Sequence, residues 1–554
     1  MFAMLCVVIS SSTFNFLSNR FSWVTSSTHA TIGALIGVGV ASGAGVEWGY
    51  VVTTKNGQVS GQNGLGAVVA SFFISPVLAG LIGAIVYSIV KYCILEQGKE
   101  RSYKLALISA PIWYAVVAAF EAWLISWKSP RYTVTDDQTL GIFFGTLGVV
   151  GVVTYLFLVP LIRRKVWQGW YNLSIVHLPL MILSDATLEK SYPKLCERPY
   201  YFDDRHLKGE EIPDDEAWQW TEKDLQQLAK QRGILPPVAV NSASIMVESD
   251  PIKVSPDEQH PSKTHPKLYD PEYPDLALFN DDGLAKSQWT LRKEKFKLDM
   301  KNPNLSPLKK IQKVITFVFF IGVDRDIADY KTETEEVTVL HDRAKRYYGK
   351  TENVFRYLQV LTSSVASFAH GANDVALSVG PISTMFYYWN NGGRGSPPKS
   401  SIVLDWQLAV GAVCLVLGLW FYGYNIMRAL GNRLTYHSPS RGFSMELGAA
   451  ITVLIAARNG IPVSTTNCIV GATVGVGLMN GDYKSINWKL FFFTFFTWCY
   501  TVPFCAILSG SIYAFASYAP DIGCKPYTVS SNGGLATVNG VTFNGTQKFY
   551  PFGC

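Results

Sequence analysis

Charge is scarce in this chain. Only 16% of its 554 residues are Asp, Glu, Lys or Arg, and the formal net charge is +6. So small an excess argues against a nucleic-acid partner, which needs a concentrated basic surface. Cysteine is sparse too. The nine present form no Cys-x-x-Cys pair, so neither a zinc site nor a redox motif is indicated. No basic stretch precedes the apolar run Met1–Leu17 and no clear cleavage site follows it. That run therefore reads as a membrane helix, not a removable leader. No nucleophile is arranged with a general base, so neither an enzyme nor a cofactor is expected.

Apolar sequence, by contrast, is abundant. Hydrophobic residues make up 48% of the chain, and they cluster in long blocks. Gly64–Leu95, Tyr103–Trp127, Leu140–Ile162, Val354–Tyr388, Leu404–Met427 and Trp488–Tyr513 are each long enough to cross a bilayer. Pro76 and Gly80 are expected to bend the first of these. Gly442–Ala457 and Val463–Leu478 are shorter. They read as a re-entrant pair turning at Arg458-Asn459-Gly460-Ile461-Pro462. The expected fold is an all-α polytopic membrane protein with broken and re-entrant helices, about nine or ten membrane segments in all.

Basic residues set the sidedness. Lys99, Arg101 and Lys104, the run Arg163-Arg164-Lys165, and the loop Arg428–Arg441 read as cytoplasmic. Gly49–Asn63, Lys128–Gln138, Asn390–Ser401 and the tail then lie outside. Four regions result. Residues 1–164 form a first membrane repeat, 165–353 a hydrophilic cytoplasmic loop, 354–515 a second repeat, and 516–554 an exoplasmic tail. The loop reads as disordered around Asp250–Pro274. Trp167–Leu183 and Pro307–Ile321 are amphipathic, lying on the membrane or packed on the loop. The tail carries the sequon Asn544-Gly545-Thr546, and Cys524 with Cys554 could bridge there. Trp127, Trp389 and Trp488 suit interface anchors.

The stretch Ser367-Phe368-Ala369-His370-Gly371-Ala372-Asn373-Asp374-Val375-Ala376 sets an acid inside an apolar block. An acid at membrane depth is costly and marks a functional site. The neighbouring glycine suggests a helix break there. Elsewhere the chain repeats itself. Thr25-Ser26-Ser27-Thr28-His29 through Gly39 matches Val463-Ser464-Thr465-Thr466-Asn467 through Gly477 without a gap, at an offset of 466 − 28 = 438. Five expected crossings separate the copies, so they run in opposite directions: an inverted-topology repeat. The same offset carries Asp374 to −64. A first partner of the Asn-Asp motif would lie upstream of Met1, and the chain reads as N-terminally incomplete.

A half-helix that begins at membrane depth offers free backbone N–H groups and the positive end of its dipole to an anion. Serine and threonine hydroxyls add donors without charge. Two such half-helices, from opposite sides, would meet near the midplane. Asn373, Asp374 and freed carbonyls suit a hard cation. Plainer alternatives stand beside this. The hydroxyls could bond back to the i−4 carbonyl, and Asn-Asp could be a cap. Glu446 could pair with Arg458 or Arg441. His29 and His370 read as polar linings or hydrogen-bond partners, not metal ligands.

Phe355-Arg356-Tyr357-Leu358-Gln359-Val360 leading into the Asn-Asp stretch, Pro439-Ser440-Arg441-Gly442-Phe443-Ser444-Met445-Glu446-Leu447-Gly448 and Gly460-Ile461-Pro462-Val463-Ser464-Thr465-Thr466 together resemble the signatures of the PiT-type inorganic phosphate transporters. Trp170-Tyr171-Asn172 with His177-Leu178-Pro179-Leu180 resembles their fungal-type branch. The resemblance implies symport of phosphate with sodium, or with a proton, into the cell across the plasma membrane. It implies phosphate at Ser26, Ser27, Thr28, Asn373, Asp374, Ser464, Thr465 and Thr466, and the cation at Asn373, Asp374 and Ser378. Partners are then phosphate, the cation and the lipid bilayer, and a homodimer stays open. Three departures stand out. Leu377 replaces the family's asparagine three residues after the Asp, Asn467 the usual histidine after Thr-Thr, and Val24-Thr25 its Pro-Val, with Ser27 for Thr. Carriage of another oxyanion such as sulfate, and a phosphate sensor that does not transport, are the rival readings.

Overall fold

The computed structural model describes residues 1–55, 58–128, 135–197, 288–303, 305–323, 335–391, 403–458 and 463–518, with strand residues 269–270, 273–277, 527–538 and 541–549. The turn at 459–462, most of the stretch expected to be disordered, Cys524 and Cys554 lie outside them.

The membrane body is helical. It comprises α1 (Phe2–Arg20), α2 (Ser27–Ala41), α3 (Gly64–Val90), α4 (Lys99–Lys128), α5 (Asp136–Val153) and α6 (Val159–Val166). The wider turns Lys91–Leu95 and Thr154–Leu158 extend α3 and join α5 to α6. Between the halves lie α7 (Asp185–Ser191), α8 (Gln288–Lys301), α9 (Pro307–Phe319) and α10 (Glu335–Asp342). Then follow α11 (Gly349–Asn390), α12 (Asp405–Tyr422), α13 (Tyr424–Arg428), α14 (Pro439–Arg458), α15 (Thr465–Leu478) and α16 (Trp488–Tyr518). Backbone polar groups have no partner in lipid, so helices are the form these apolar blocks must take. Among the described residues six helices are long and apolar enough to cross a membrane, while α2 and α15 are short and apolar.

α3 carries Pro76 inside it, where a bend is expected. One difference from expectation concerns a break. α11 is one helix of 42 residues that passes unbroken through Gly371, Asn373 and Asp374. Its carbonyls near the motif are therefore held within the helix. The apolar sequence on both sides of the motif outweighs the local penalty of one glycine, about 1 kcal/mol. The polar segments Val51–Lys55 and Gln58–Asn63, and Tyr527–Val538 and Val541–Phe549, form antiparallel hairpins that the sequence reading left undefined.

The repeat governs the packing. A side chain at Gly33 would strike the Val502 backbone of α16, and one at Gly471 would strike the Pro76 backbone of α3. Gly37 meets Ala506, and Gly475 meets Gly80. Both partner pairs are offset by the same number, 502 − 76 = 426 and 506 − 80 = 426. Ser509 on α16 donates to the Ala34 carbonyl, and Gly83, 426 residues earlier, packs on Ala472. Ser10 on α1 donates to the Cys505 carbonyl; Gly448 on α14 lies over the Ala79 carbonyl. So α1, α2 and α16 repeat as α14, α15 and α3. Small residues let these backbones approach closely. Each half-helix packs on a long helix from the other half of the chain.

Candidate functional site

The site begins with two helix caps. Ser26 precedes α2 in extended backbone, and its hydroxyl accepts the His29 backbone N–H at 3.4 Å. Ser464 does the same for α15, accepting from Asn467 N–H at 3.4 Å. Serine is a favoured cap because it satisfies one N–H that has no acceptor within the helix. The Ser464 hydroxyl also donates to Ser26 Oγ at 2.8 Å. Both residues are 1% exposed. They are equivalent positions of the repeat, and equivalent positions can touch only where the symmetry axis passes. The two helix N-termini therefore meet on the axis, as the sequence anticipates. Ser27, Thr28 and Thr466 are half-buried and Thr465 is buried around this contact. On α16, Trp498 Nε1 donates to the Val24 carbonyl at 3.1 Å, fixing the chain just before the first cap.

One residue further into each helix lies a second equivalent pair, His29 and Asn467. Both are buried, at 1% and 0% exposure. Both His29 ring nitrogens and both Asn467 amide atoms have no hydrogen-bond partner among the described residues. The His29 ring lies over Phe72, centroids 3.8 Å apart. Buried polar atoms left unpaired are uncommon and each calls for an explanation. Sequence reasoning gave His29 a lining role. It noted Asn467 only as a departure, although the offset already paired the two.

The Asn-Asp stretch sits on α11, which packs against α1, α4 and α14 and also touches α2. Asp374 is half-buried, and its Oδ1 has no partner among the described residues. One turn earlier, His370 Nε2 is likewise buried and unpaired. The Asn373 side chain lies outside the described residues. Ser378 is exposed, and its hydroxyl turns back to the Asp374 carbonyl at 3.4 Å. No group of three or more potential metal-binding side chains occurs among the described residues.

Two buried networks were not foreseen. Glu446 on α14 does not pair with Arg441, and the Arg458 side chain lies outside the described residues. Its carboxylate accepts from Thr362 at 2.6 Å, Ser363 at 2.8 Å and Gln359 at 3.4 Å, all on α11. Hydroxyls one turn from Gln359, facing an acid on a neighbouring helix, were the available signal. Arg441 instead donates to Asn480 Oδ1 at 2.7 Å, Ser438 Oγ at 3.2 Å and the Lys345 carbonyl at 2.7 Å. Glu352 accepts from Ser438 and from Ser440 backbone and hydroxyl at 2.8–3.1 Å. These contacts tie the start of α11 to the N-terminus of α14, where a carboxylate also suits the helix dipole.

Outside the membrane segments, Asp185 is held below the usual carboxylate range. Partial burial pushes it up, but hydrogen bonds from Gln168 and Arg164 and the charges of Arg164 and Arg163 outweigh that. His437, in the loop before α14, is pushed down to about 4 by burial and then by the Arg441 charge.

Comparison with known proteins completes the picture. A family profile described as the phosphate transporter family matches residues 1–509. The phosphate-repressible phosphate permease pho-4 of Neurospora crassa is 34% identical over 535 residues, covering 94% of this chain and 85% of its own length. The sodium-dependent phosphate transporter 1-B of Xenopus laevis is 36% identical over 193 residues, covering 35% of this chain and 27% of its own. The human sodium-dependent phosphate transporter 1 is 39% identical over 165 residues, covering 30% and 24%. A solved structure titled as the sodium-dependent phosphate transporter superposes with a TM-score of 0.49 at 18% identity, covering 93% of this chain and 78% of its own.

Proposed function

The chain belongs to the phosphate transporter family, and from that premise we propose that it moves inorganic phosphate across a membrane together with a cation, sodium in the first instance. Membership points to a transporter rather than an enzyme, in keeping with a multi-pass membrane protein.

The observation that carries the reading is the Ser26–Ser464 contact. Two half-helix N-termini converge there, each with first-turn N–H groups that lack intrahelical acceptors. Phosphate is accepted by those N–H groups and by the hydroxyls of Ser26, Ser27, Thr28, Ser464, Thr465 and Thr466. Neutral donors hold an oxyanion without the strong Coulomb trap that a buried Lys or Arg would set. Asp374, with Asn373, supplies oxygen to the cation, and Ser378 steadies the Asp374 carbonyl. A cation beside the oxyanion offsets its charge, so the two are best moved together. The inverted hairpins α1–α2 and α14–α15 give the site one approach from each side. We assign the plasma membrane, with the basic loops inside and uptake inward.

The test is labelled phosphate entry into cells that lack their own phosphate uptake, with sodium present and with sodium replaced by choline. Sodium-dependent entry at a level above the empty host is expected. A chain that reaches the surface and carries no phosphate under either condition overturns the proposal. Equal competition by sulfate would broaden the substrate class instead. A non-transporting sensor is the second reading. Leu377 favours it, since the family resemblance implies an asparagine at that position.

A further inference from the structure

Helix α9 is covered on the wrong face for a soluble protein. It starts at Ser306, whose hydroxyl accepts the Lys309 N–H at 3.4 Å, and Pro307 occupies the first turn. Leu308, Ile311, Val314, Ile315, Val318 and Phe319 recur at helical spacing along one side. All six are exposed, Leu308 at 80% and Ile315 at 63%. α8 packs on the other side. Phe296 stacks on Phe317 with centroids 4.2 Å apart, Lys313 pairs with Asp299 at 3.2 Å, and Arg292 lies 4.2 Å over the Phe320 ring. α8 thus packs over Lys313 and Phe317, Lys309 stays exposed at the edge, and the apolar side is left bare. In water that arrangement would expose the surface that folding normally hides.

Two observations say what covers it. First, the end of α9 is fixed to a membrane-spanning helix. Trp420, in the last turn of α12, donates its indole N–H to the Phe319 carbonyl at 2.7 Å, and the two rings lie 5.0 Å apart. Val413, Val416, Leu417 and Leu419 of α12 are exposed, as lipid-facing residues would be. The bare face of α9 therefore adjoins a lipid-facing surface. Arg428 and Arg433 follow α12, so this is its basic end, the end expected inside the cell. Second, residues 288–319 hold eight Lys and Arg against two Asp and Glu. A basic helix pair with an apolar face suits the anionic inner leaflet.

We propose that α8 and α9 form an interfacial anchor by which the large central loop lies on the membrane, the apolar face of α9 sunk among lipid tails and the basic residues on anionic headgroups. The occupant of that face is the bilayer itself. The inference is independent of what the protein transports.

The experiment uses the full chain with its cysteines replaced, in nanodiscs of phosphatidylcholine with or without phosphatidylserine. A fluorescent label at Ile311→Cys or Ile315→Cys should be quenched by brominated lipid tails several-fold more than one at Lys309→Cys, which aqueous iodide should quench. Phosphatidylserine should widen that contrast, and Ile311→Glu with Ile315→Glu should make a label at Leu308→Cys accessible to iodide. Labels at 311 and 315 that iodide quenches as readily as the label at 309 would overturn the proposal. Labels shielded from both quenchers would overturn it too, because protein would then cover the face. The otherwise natural chain carrying benzoylphenylalanine at Ile315 gives a second reading. Cross-links to lipid are expected, and cross-links only to protein would refute the anchor.

Discussion

Ser464 donates a hydrogen bond to Ser26 across 2.8 Å, although 438 residues separate them in the chain. The contact joins the same position of two inverted copies. Each partner also caps its own helix. One small pair therefore combines capping, symmetry and the proposed anion site.

Replacing either serine by alanine should reduce phosphate uptake about tenfold or more, the loss expected for one hydrogen bond to a charged ligand. Each change should also remove about 1 kcal/mol of helix capping. Because the two touch, the double variant should depart from additivity by about 0.5 kcal/mol or more. Uptake assays and thermal melting of the purified variants check both. Additive behaviour would mean that the pair is not coupled.

Gly33→Leu and Gly471→Leu should each destabilise by about 1–3 kcal/mol or more, because the added atoms meet backbone, which cannot step aside. Gly145→Leu on α5 has open space around it and should melt near the parent temperature. Comparable melting points for all three would refute the close crossings.

Arg441→Ala should cost about 1–3 kcal/mol or more, since it leaves the buried Asn480 amide oxygen and the Lys345 carbonyl without their donor. Arg441→Lys should rescue little. A single ammonium cannot reach Asn480, Ser438 and the Lys345 carbonyl in the directions the guanidinium fork does. Thermal melting in detergent measures both.

Acidification should loosen the start of α14. Burial holds the folded pKa of His437 at about 4, below its value of about 6.5 in the unfolded chain. The unfolded state thus binds the extra proton more readily, so the stability linked to this group is complete above about pH 6.5 and is lost as pH falls toward about 4. The Gln359 amide, 3.0 Å from His437 Nε2, donates only to an unprotonated ring nitrogen. Melting temperatures taken between those limits should fall less steeply for His437→Asn. An identical slope would remove His437 as the cause.

Asp374→Asn keeps the size of the side chain and removes its charge. Uptake should drop about tenfold or more, and whatever persists should respond less to sodium. Unchanged sodium dependence would move the cation elsewhere.

Much of this arrangement was legible in the residues. Apolar blocks marked the membrane helices because lipid allows so few alternatives, and the gapless match from Thr25 to Gly39 announced the inverted copies before any contact was known. The second offset, 426, was hidden. α3 and α16 share little sequence, and only the backbone contacts of Pro76 and Val502 reveal their kinship. The expected break at Asp374 failed because one glycine weighs little against a long apolar helix. Glu446 was expected to pair with Arg458 or Arg441, and it does not pair with Arg441. Its actual partners are two hydroxyls and the Gln359 amide, whose reach across to a neighbouring helix no spacing rule predicts.

The crossing of α2 over α16 also constrains how the protein is made. α2 is synthesised well before α16, the helix against which Gly33 and Gly37 lie. The small-residue face of this half-helix must wait for its partner until another 488 − 41 = 447 residues have been made. Premature termination before Trp488 would strand it, and such chains are natural targets for membrane quality control.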